Sequence, residues 1–228
     1  MIKTFSICFA LNLFVFLSGS MASTLTGGFP ETLSGLGVTG EGRLVGDSRF
    51  IEFLSCFLDK SALNISWQAY PTSRVMRLVE RGDMDISYPM GFDAERAAVS
   101  IQSLRVGVAH IYLVYVGAPP VLDDKLLTVG TKRGTAQASD FAARGFKSIH
   151  QNNDYFSLFK MLINGRLDMI AVPRIVYEYY AEKNDDKLNF QTYKTYDYGF
   201  YLEPNMDQGL VNLINNSITA CRSLASEK

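Results

Sequence analysis

The sequence predicts an α/β protein with two similar lobes on one chain, because one short pattern occurs twice. Residues 77–89 and residues 160–173 each read as a helix that ends at a glycine and continues into a strand through an aspartate. Gly82 and Gly165 are 83 positions apart, as are Asp85 and Asp168, too far for a solenoid repeat of about 20 to 50 residues. Since open α/β sheets bind ligands at the carboxyl ends of strands, we expect a binding site between the lobes.

Residues 1–22 predict a secretory signal that is cleaved after Ala22. Lys3 is the one charge in this segment, and an apolar run follows from Phe5 to Leu17. A membrane anchor is the alternative, but the run is shorter than the roughly 20 residues that span a bilayer. Cys8 lies inside the run, so no cysteine is placed for lipid attachment, and we expect a mature protein free in solution.

The composition favours a folded protein with no nucleic-acid partner. The chain has 22 basic and 23 acidic residues, and loss of Lys3 changes its formal net charge from −1 to −2. A hydrophobic content of 47% is sufficient for one large domain or two small lobes. His110 and His150 stand alone in apolar runs, so we expect no metal site and no cofactor.

Cys56 and Cys221 remain after removal of the signal. In an oxidising compartment they can form a disulfide, and two buried free thiols are the alternative. Sequence alone does not give the distance between them.

The first lobe is predicted to begin with short strands and a turn at residues 42–46. A helix capped by Asp47 or Ser48 follows, because its apolar residues recur at helical spacing. A strand from Asn64 to Gln68, a helix from Pro71 to the left-handed glycine Gly82, and a strand from Asp85 to Tyr88 complete this part.

The β-branched and aromatic run from Val106 to Val116 predicts a strand that crosses to the second lobe and stops before two prolines. The elements predicted there are strand 126–130, helix 136–144, strand 147–150, helix 154–164, strand 168–172, helix 174–183 and strand 188–193. Strand 197–202 then crosses back to the first lobe, and the helix after Pro204, through about Cys221, packs on that lobe. Lobe one therefore comprises residues 23–116 and 197–228, with lobe two, 117–196, inserted.

These motifs, in this order, resemble the family-3 extracellular solute-binding proteins, which include the periplasmic polar amino-acid-binding proteins of ABC importers. The segments that carry the resemblance are Tyr70-Pro-x-x-Arg74, Gly82-Asp-Met-Asp85, Asp93-Ala-Glu-Arg96, Gly134-Thr-Ala-Gln137 and Gly165-Arg-Leu-Asp168. The resemblance implies a type II periplasmic-binding-protein fold, periplasmic location, a monomer, and hinges near residues 114–118 and 196–199.

The resemblance also implies that Arg96 binds a ligand carboxylate, although Asp93 stands where relatives have threonine. A guanidinium fork matches two carboxylate oxygens. A surface arginine paired with Asp93 or Glu95 is the alternative from the residues alone.

In the second lobe, the N–H groups of Gly134 and Thr135 are expected to hold an anionic or carbonyl group before a helix. Ala136 stands where relatives have a second hydroxyl, which Gln137 can replace in part. Pro173 stands where amino-acid-binding relatives carry the acid that holds the α-ammonium group. This departure favours an acid or another polar solute over an α-amino acid. We assign Asp168 a structural hydrogen bond rather than a ligand contact.

Tyr70 and Tyr88 are expected to wall the cleft, because they lie at the ends of elements that face it. The full set of candidate ligand-binding residues is Arg96, Thr135, Gly134, Ala136, Tyr70, Thr72, Arg74, Tyr88 and Met90.

The sequence thus predicts a periplasmic protein that closes on a small polar, carboxylate-bearing solute for uptake through an ABC permease. A ligand-sensing subunit for a membrane receptor is an alternative. A dehydratase on the same fold is another, but it needs a placed general acid or base, and no histidine lies near the motifs.

Overall fold

The computed structural model describes residues 24–31, 36–46, 49–183 and 187–225; the predicted signal and the predicted caps Asp47 and Ser48 lie outside them. The strands are β1 Leu25–Pro30, β2 Leu36–Val38, β3 Leu44–Gly46, β4 Ile65–Tyr70, β5 Ile86–Gly91, β6 Ile101–Gln102, β7 Gly107–Val116, β8 Thr128–Lys132, β9 Ser148–Asn152, β10 Met169–Pro173 and β11 Leu188–Leu202. The helices are α1 Arg49–Ser61, α2 Thr72–Glu80, α3 Ala94–Ala97, α4 Ala136–Ala143, α5 Tyr155–Ile163, α6 Arg174–Ala181 and α7 Gln208–Cys221, followed by a 3₁₀ turn, Arg222–Ala225.

The sheet has a group of parallel strands at each end. Two long strands, antiparallel to each other, join the two groups in the middle. Its order is β4-β1-β5-β11-β7-β10-β8-β9, with β6 against β11. Strands β4, β1 and β5 are parallel to one another, as are β10, β8 and β9. Strands β7 and β11 pair from Val116 opposite Leu188 to Gly107 opposite Tyr198. The chain therefore crosses between two α/β halves on these strands, which agrees with the predicted two-lobed class.

Each half has its own hydrophobic core. In the first half, Phe53 and Phe57 lie one helical turn apart on α1, are fully buried, and pack against Phe200 of β11. In the second half, α5 and α6 pack on one face of the sheet, where Phe159 stacks on Tyr180. Helix α4 covers the opposite face. Separate cores are typical of lobes that can move relative to one another.

The repeated sequence pattern forms the same helix end in both halves. Gly82 has a φ of +72° and Gly165 a φ of +66°, which is the left-handed conformation that a side chain disfavours. Gly82 donates its N–H to Val79, and Gly165 donates its N–H to Leu162. The next residue of each copy donates to the carbonyl oxygen one residue further back, so both helices end in a Schellman motif at the left-handed glycine that the sequence predicts for Gly82.

The aspartate of each copy fixes the start of the following strand. The Asp85 carboxylate accepts hydrogen bonds from the N–H and hydroxyl of Thr26, both at 2.7 Å. The Asp168 carboxylate accepts one from the N–H of Thr128, also at 2.7 Å. Since Thr26 and Thr128 each lie at the first strand of their half, both aspartates tie neighbouring strands together. The structural role predicted for Asp168 is confirmed.

A disulfide joins Cys56 of α1 to Cys221 at the end of α7, with the two Cα atoms 5.8 Å apart. The bond spans 165 residues and fixes the C-terminal helix to the first half of the protein. Of the two states that the sequence allows, the structure has the bridged one.

The central strand differs from the prediction. The sequence predicts separate strands at 188–193 and 197–202, whereas β11 runs without a break from Leu188 to Leu202. Its polar middle remains paired with β7, and the Tyr193 hydroxyl and the Lys194 ammonium both donate to the Asp140 carboxylate of α4. The predicted turn at residues 42–46 also contains a short strand, β3, paired with β2.

Candidate functional site

A cavity of about 140 Å³ lies where the carboxyl ends of the parallel strands from both halves meet. It is lined by the last residues of β1, β5, β8 and β10, which are Pro30, Gly91, Lys132 and Pro173. Ligands in open α/β sheets bind at this edge of the strands. The geometry therefore agrees with the crevice that the sequence predicts.

Arg96 lies in the wall of this cavity and connects the two halves. Its Nη1 donates to the carbonyl oxygen of Gly91 at 2.8 Å, and its Nη2 donates to the carbonyl oxygen of Gly134 in the second half. Within the described residues, no carboxylate lies within ion-pair distance of its guanidinium. Asp93, one alternative partner, instead caps α3 by accepting from the N–H groups of Glu95 and Arg96.

Burial lowers the pKa of Arg96 from its ordinary value, while Tyr201, Asp93 and Glu95 act in the opposite direction. A guanidinium stays protonated in proteins even when its pKa is lowered. The cavity wall therefore carries a positive charge. A guanidinium has five N–H donors, and the two carbonyl contacts leave others available to a ligand.

Three helices begin at the cavity without a side-chain cap. Helices α2, α4 and α6 follow Pro71, Thr135 and Pro173, and none of these residues caps its helix with a side-chain hydrogen bond. The Thr135 hydroxyl instead donates to the carbonyl oxygen of Lys132 at 2.7 Å. Since free N–H groups and the helix dipole both favour negative charge, the cavity favours an anion.

Lys132 is a second buried cation in the wall. Its side chain is 4% exposed, and its Nζ lies 5.4 Å from the ring centroid of Tyr155. Burial lowers its pKa from 10.5 to about 8, although Glu31 and Asp154 act to raise it. Because this folded-state pKa lies below the ordinary value, the charged lysine costs stability at neutral pH, and the cost disappears as pH rises from about 8 towards 10.5.

Other polar groups of the wall come from the second half and from the crossing strand. The Gln137 side-chain oxygen and the Tyr196 hydroxyl are buried and have no hydrogen-bond partner among the described residues. Glu178 also lines the cavity, but its carboxylate lies 3.5 Å from Nε of Arg174, one helical turn away. The acid in the wall is thus already paired with a base.

The structure brings five of the nine candidate ligand residues to this cavity; they are Thr72, Met90, Arg96, Thr135 and Ala136. Gly134 lies in an adjoining cavity with Ser73 and Arg96. Pro173, which replaces the expected acid, is part of the main cavity wall.

Three candidates lie elsewhere. Tyr88 is 1% exposed and stacks on Phe200 in the first core, so it does not wall the cleft. Tyr70 packs against the core around α2, and its hydroxyl donates to Gln68. Arg74 is exposed, with its guanidinium carbon 4.4 Å from the Tyr70 ring centroid. These two side chains therefore contact each other rather than the cavity.

Sequence reasoning missed Lys132, Glu178 and Tyr155 as cavity residues. One signal was available for Lys132, because it is the last residue of a parallel strand, where ligand contacts concentrate. Among the described residues there is also no group of three or more His, Cys, Asp or Glu side chains that could hold a metal ion.

Gly134 marks a close approach of the two halves, which gives a testable prediction. Its φ is +75°, and a Cβ atom added there would lie 2.9 Å from the backbone nitrogen of Ser73 in α2. We expect Gly134→Ala to weaken ligand binding about tenfold or more, because closure requires this approach. Isothermal titration calorimetry measures the effect.

Gly165→Ala is the matched control, since its φ is +66° and a Cβ atom there has nothing within 4 Å. Both variants carry the left-handed strain of roughly 1 kcal/mol, but only the first creates a contact between halves. Equal affinities for the two variants would contradict the role of this approach in binding.

Comparison with known proteins supports the fold. No family model matches the chain, and no curated protein matches it. An ancestral arginine-binding protein bound to glutamine has 18% identity and a TM-score of 0.72, covering 88% of this chain and 92% of that one. A substrate-binding protein of an ABC uptake transporter from Streptococcus pneumoniae with bound histidine has 20% identity and a TM-score of 0.72, covering 86% of each chain.

A histidine kinase sensor domain similar to periplasmic binding proteins has 15% identity and a TM-score of 0.74, covering 89% of this chain and 91% of that one. At these identities the similarity shows the fold. The matches cover 86 to 89% of this chain and so include residues of both halves. The chain therefore has the two-lobed type II fold of the periplasmic solute-binding proteins.

Proposed function

We propose that this chain is an exported solute-binding protein that closes on a small polar solute bearing a carboxylate and delivers it to an ABC permease. The observation that carries the proposal is the position of Arg96. Its guanidinium lines the cavity and joins α3 of one half to Gly134 of the other. A ligand carboxylate held by this fork and by the N–H groups at the start of α4 would contact both lobes and so favour the closed form.

The surrounding groups support an anionic ligand. Three uncapped helix N-termini and the buried ammonium of Lys132 line the same cavity. Because these groups are already in place, the protein needs little reorganisation to bind an anion, which lowers the free-energy cost of binding. No reaction is required for this function.

Acids are favoured over α-amino acids. Pro173 offers neither charge nor donor where an ammonium-binding acid is expected. Glu178, the acid present in the wall, is paired with Arg174. An ammonium group bound there would have to compete with an existing ion pair.

The proposed lobes are residues 23–116 with 197–228, and residues 117–196, and we propose that the protein acts as a periplasmic monomer. The disulfide between Cys56 and Cys221 supports an oxidising compartment. Among the described residues, no helix is long and apolar enough to cross a membrane.

A second candidate function is ligand sensing for a membrane receptor. The similarity to a histidine kinase sensor domain favours it. A pull-down from solubilised membranes with the liganded protein distinguishes the two, because an importer and a receptor are different partners.

A thermal-shift screen tests the proposal. Organic acids, amino acids and amines are added singly to the purified protein, and the unfolding temperature is measured. A ligand at 100 times its dissociation constant stabilises a protein by about 2.7 kcal/mol. We expect at least one organic acid to raise the unfolding temperature; stabilisation by amines alone would contradict a carboxylate site.

A further inference from the structure

Lys132 places a second positive charge in the cleft. A ligand with a single carboxylate bound to Arg96 would leave this charge without an anionic partner. Its side chain is 4% exposed and lines the cavity. Its ammonium faces the ring of Tyr155, another cavity residue, at 5.4 Å from the centroid. Among the described residues, no hydrogen bond or ion pair within 4 Å engages this ammonium.

The protein compensates this charge only weakly. An aromatic face attracts a cation less strongly than a carboxylate in contact does. Glu31 is exposed, and both Asp154 oxygens already accept hydrogen bonds from the first turn of α5. The low pKa of Lys132 agrees with a buried ammonium that lacks a close partner. Buried unpaired charges are costly, so their presence in a cleft marks a ligand contact.

Arg96 and Lys132 have different neighbours in the cavity wall. Arg96 contacts Gly91 and Gly134, and its electrostatic neighbours are Tyr201, Asp93 and Glu95. Lys132 faces α5 and the end of β1, and its charged neighbours are Glu31 and Asp154. The two cations can therefore bind separate groups of one ligand.

We propose that the solute is a short dicarboxylate, with one carboxylate on the Arg96 guanidinium and the other on the Lys132 ammonium. This inference rests on the proposed binding function and specifies its ligand class. Two fixed cations favour a dianion, and a monocarboxylate of equal length would leave Lys132 without a partner.

Calorimetry at pH 7 tests the inference with pairs of acids of equal carbon number. The probes are succinate with butyrate, and glutarate with pentanoate. We expect the dicarboxylate of the better pair to bind about tenfold more tightly or better. This comparison uses the wild-type protein and needs no variant.

Lys132→Met tests the residue itself. We expect it to remove the preference for the dicarboxylate, because dicarboxylate affinity should fall about tenfold or more while monocarboxylate affinity falls less. Lys160→Met is the matched control, because Lys160 is exposed on α5 and the substitution changes the net charge equally. The unfolding temperature of Lys132→Met without ligand is expected to equal or exceed that of wild type.

The outcomes separate the two proposals. Equal affinities within each pair, or a dicarboxylate preference that persists in Lys132→Met, would overturn the inference and leave the binding function intact. No binding of any acid would overturn both.

Discussion

Replacing Arg96 with alanine is expected to reduce affinity for the best acid from the screen by about 30-fold to several thousand-fold. This range corresponds to the roughly 2 to 5 kcal/mol lost when one side of a buried charge pair is truncated. The loss is large because the ligand carboxylate would then lie in a cavity that lacks the guanidinium donors of Arg96. Calorimetry measures the dissociation constant, and thermal unfolding without ligand checks the fold.

Two variants control this result. Arg96→Lys keeps the charge but lacks the bidentate fork, so an intermediate affinity is expected. Arg105→Ala removes an arginine whose side chain is 56% exposed and pairs with Asp197, so binding should be unchanged. An Arg96→Ala protein that binds the acid within about threefold of wild type would show that this arginine does not hold the ligand.

Loss of the disulfide is expected to reduce the free energy of unfolding by about 2 to 5 kcal/mol. The bond closes a loop of 165 residues between α1 and α7, so its removal releases much chain entropy in the unfolded state. Chemical denaturation of wild type and of the Cys56→Ala/Cys221→Ala protein measures the difference. Alanine is used because Cys221 is fully buried and a serine hydroxyl there would add a polar cost.

Denaturation in the presence of a reducing agent provides the internal control. The reducing agent should lower the stability of wild type and leave that of the double variant unchanged. If unreduced native protein instead reacts with an alkylating reagent at both thiols, the bond is absent and the prediction fails.

Local rules predict the repeated part of the fold well. Gly82 and Gly165 end helices because a left-handed residue is needed there, and Asp85 and Asp168 bond to the start of a neighbouring strand. These features depend on a few adjacent residues. The sequence also predicts the position of the cavity, because the cavity lies at the carboxyl ends of the predicted strands.

The misplaced residues depend on tertiary packing. Tyr88 lies on β5, where five of six residues are buried, so alternation along the strand does not identify the face towards the cleft. The middle of β11 stays extended because it pairs with β7, and its polar side chains bond to Asp140, which is more than 50 positions away. Lys132 is buried in the wall of a cavity lined by residues of both halves, and a lysine in a short turn-like segment normally indicates an exposed position.

The most direct test of the central claim is the crystal structure of the protein with its tightest-binding acid. The account predicts a ligand carboxylate in the cavity between the lobes, within hydrogen-bond distance of the Arg96 guanidinium and near the first turn of α4. An acid bound outside this cavity, or bound inside it with its carboxylate turned away from Arg96, would contradict the account.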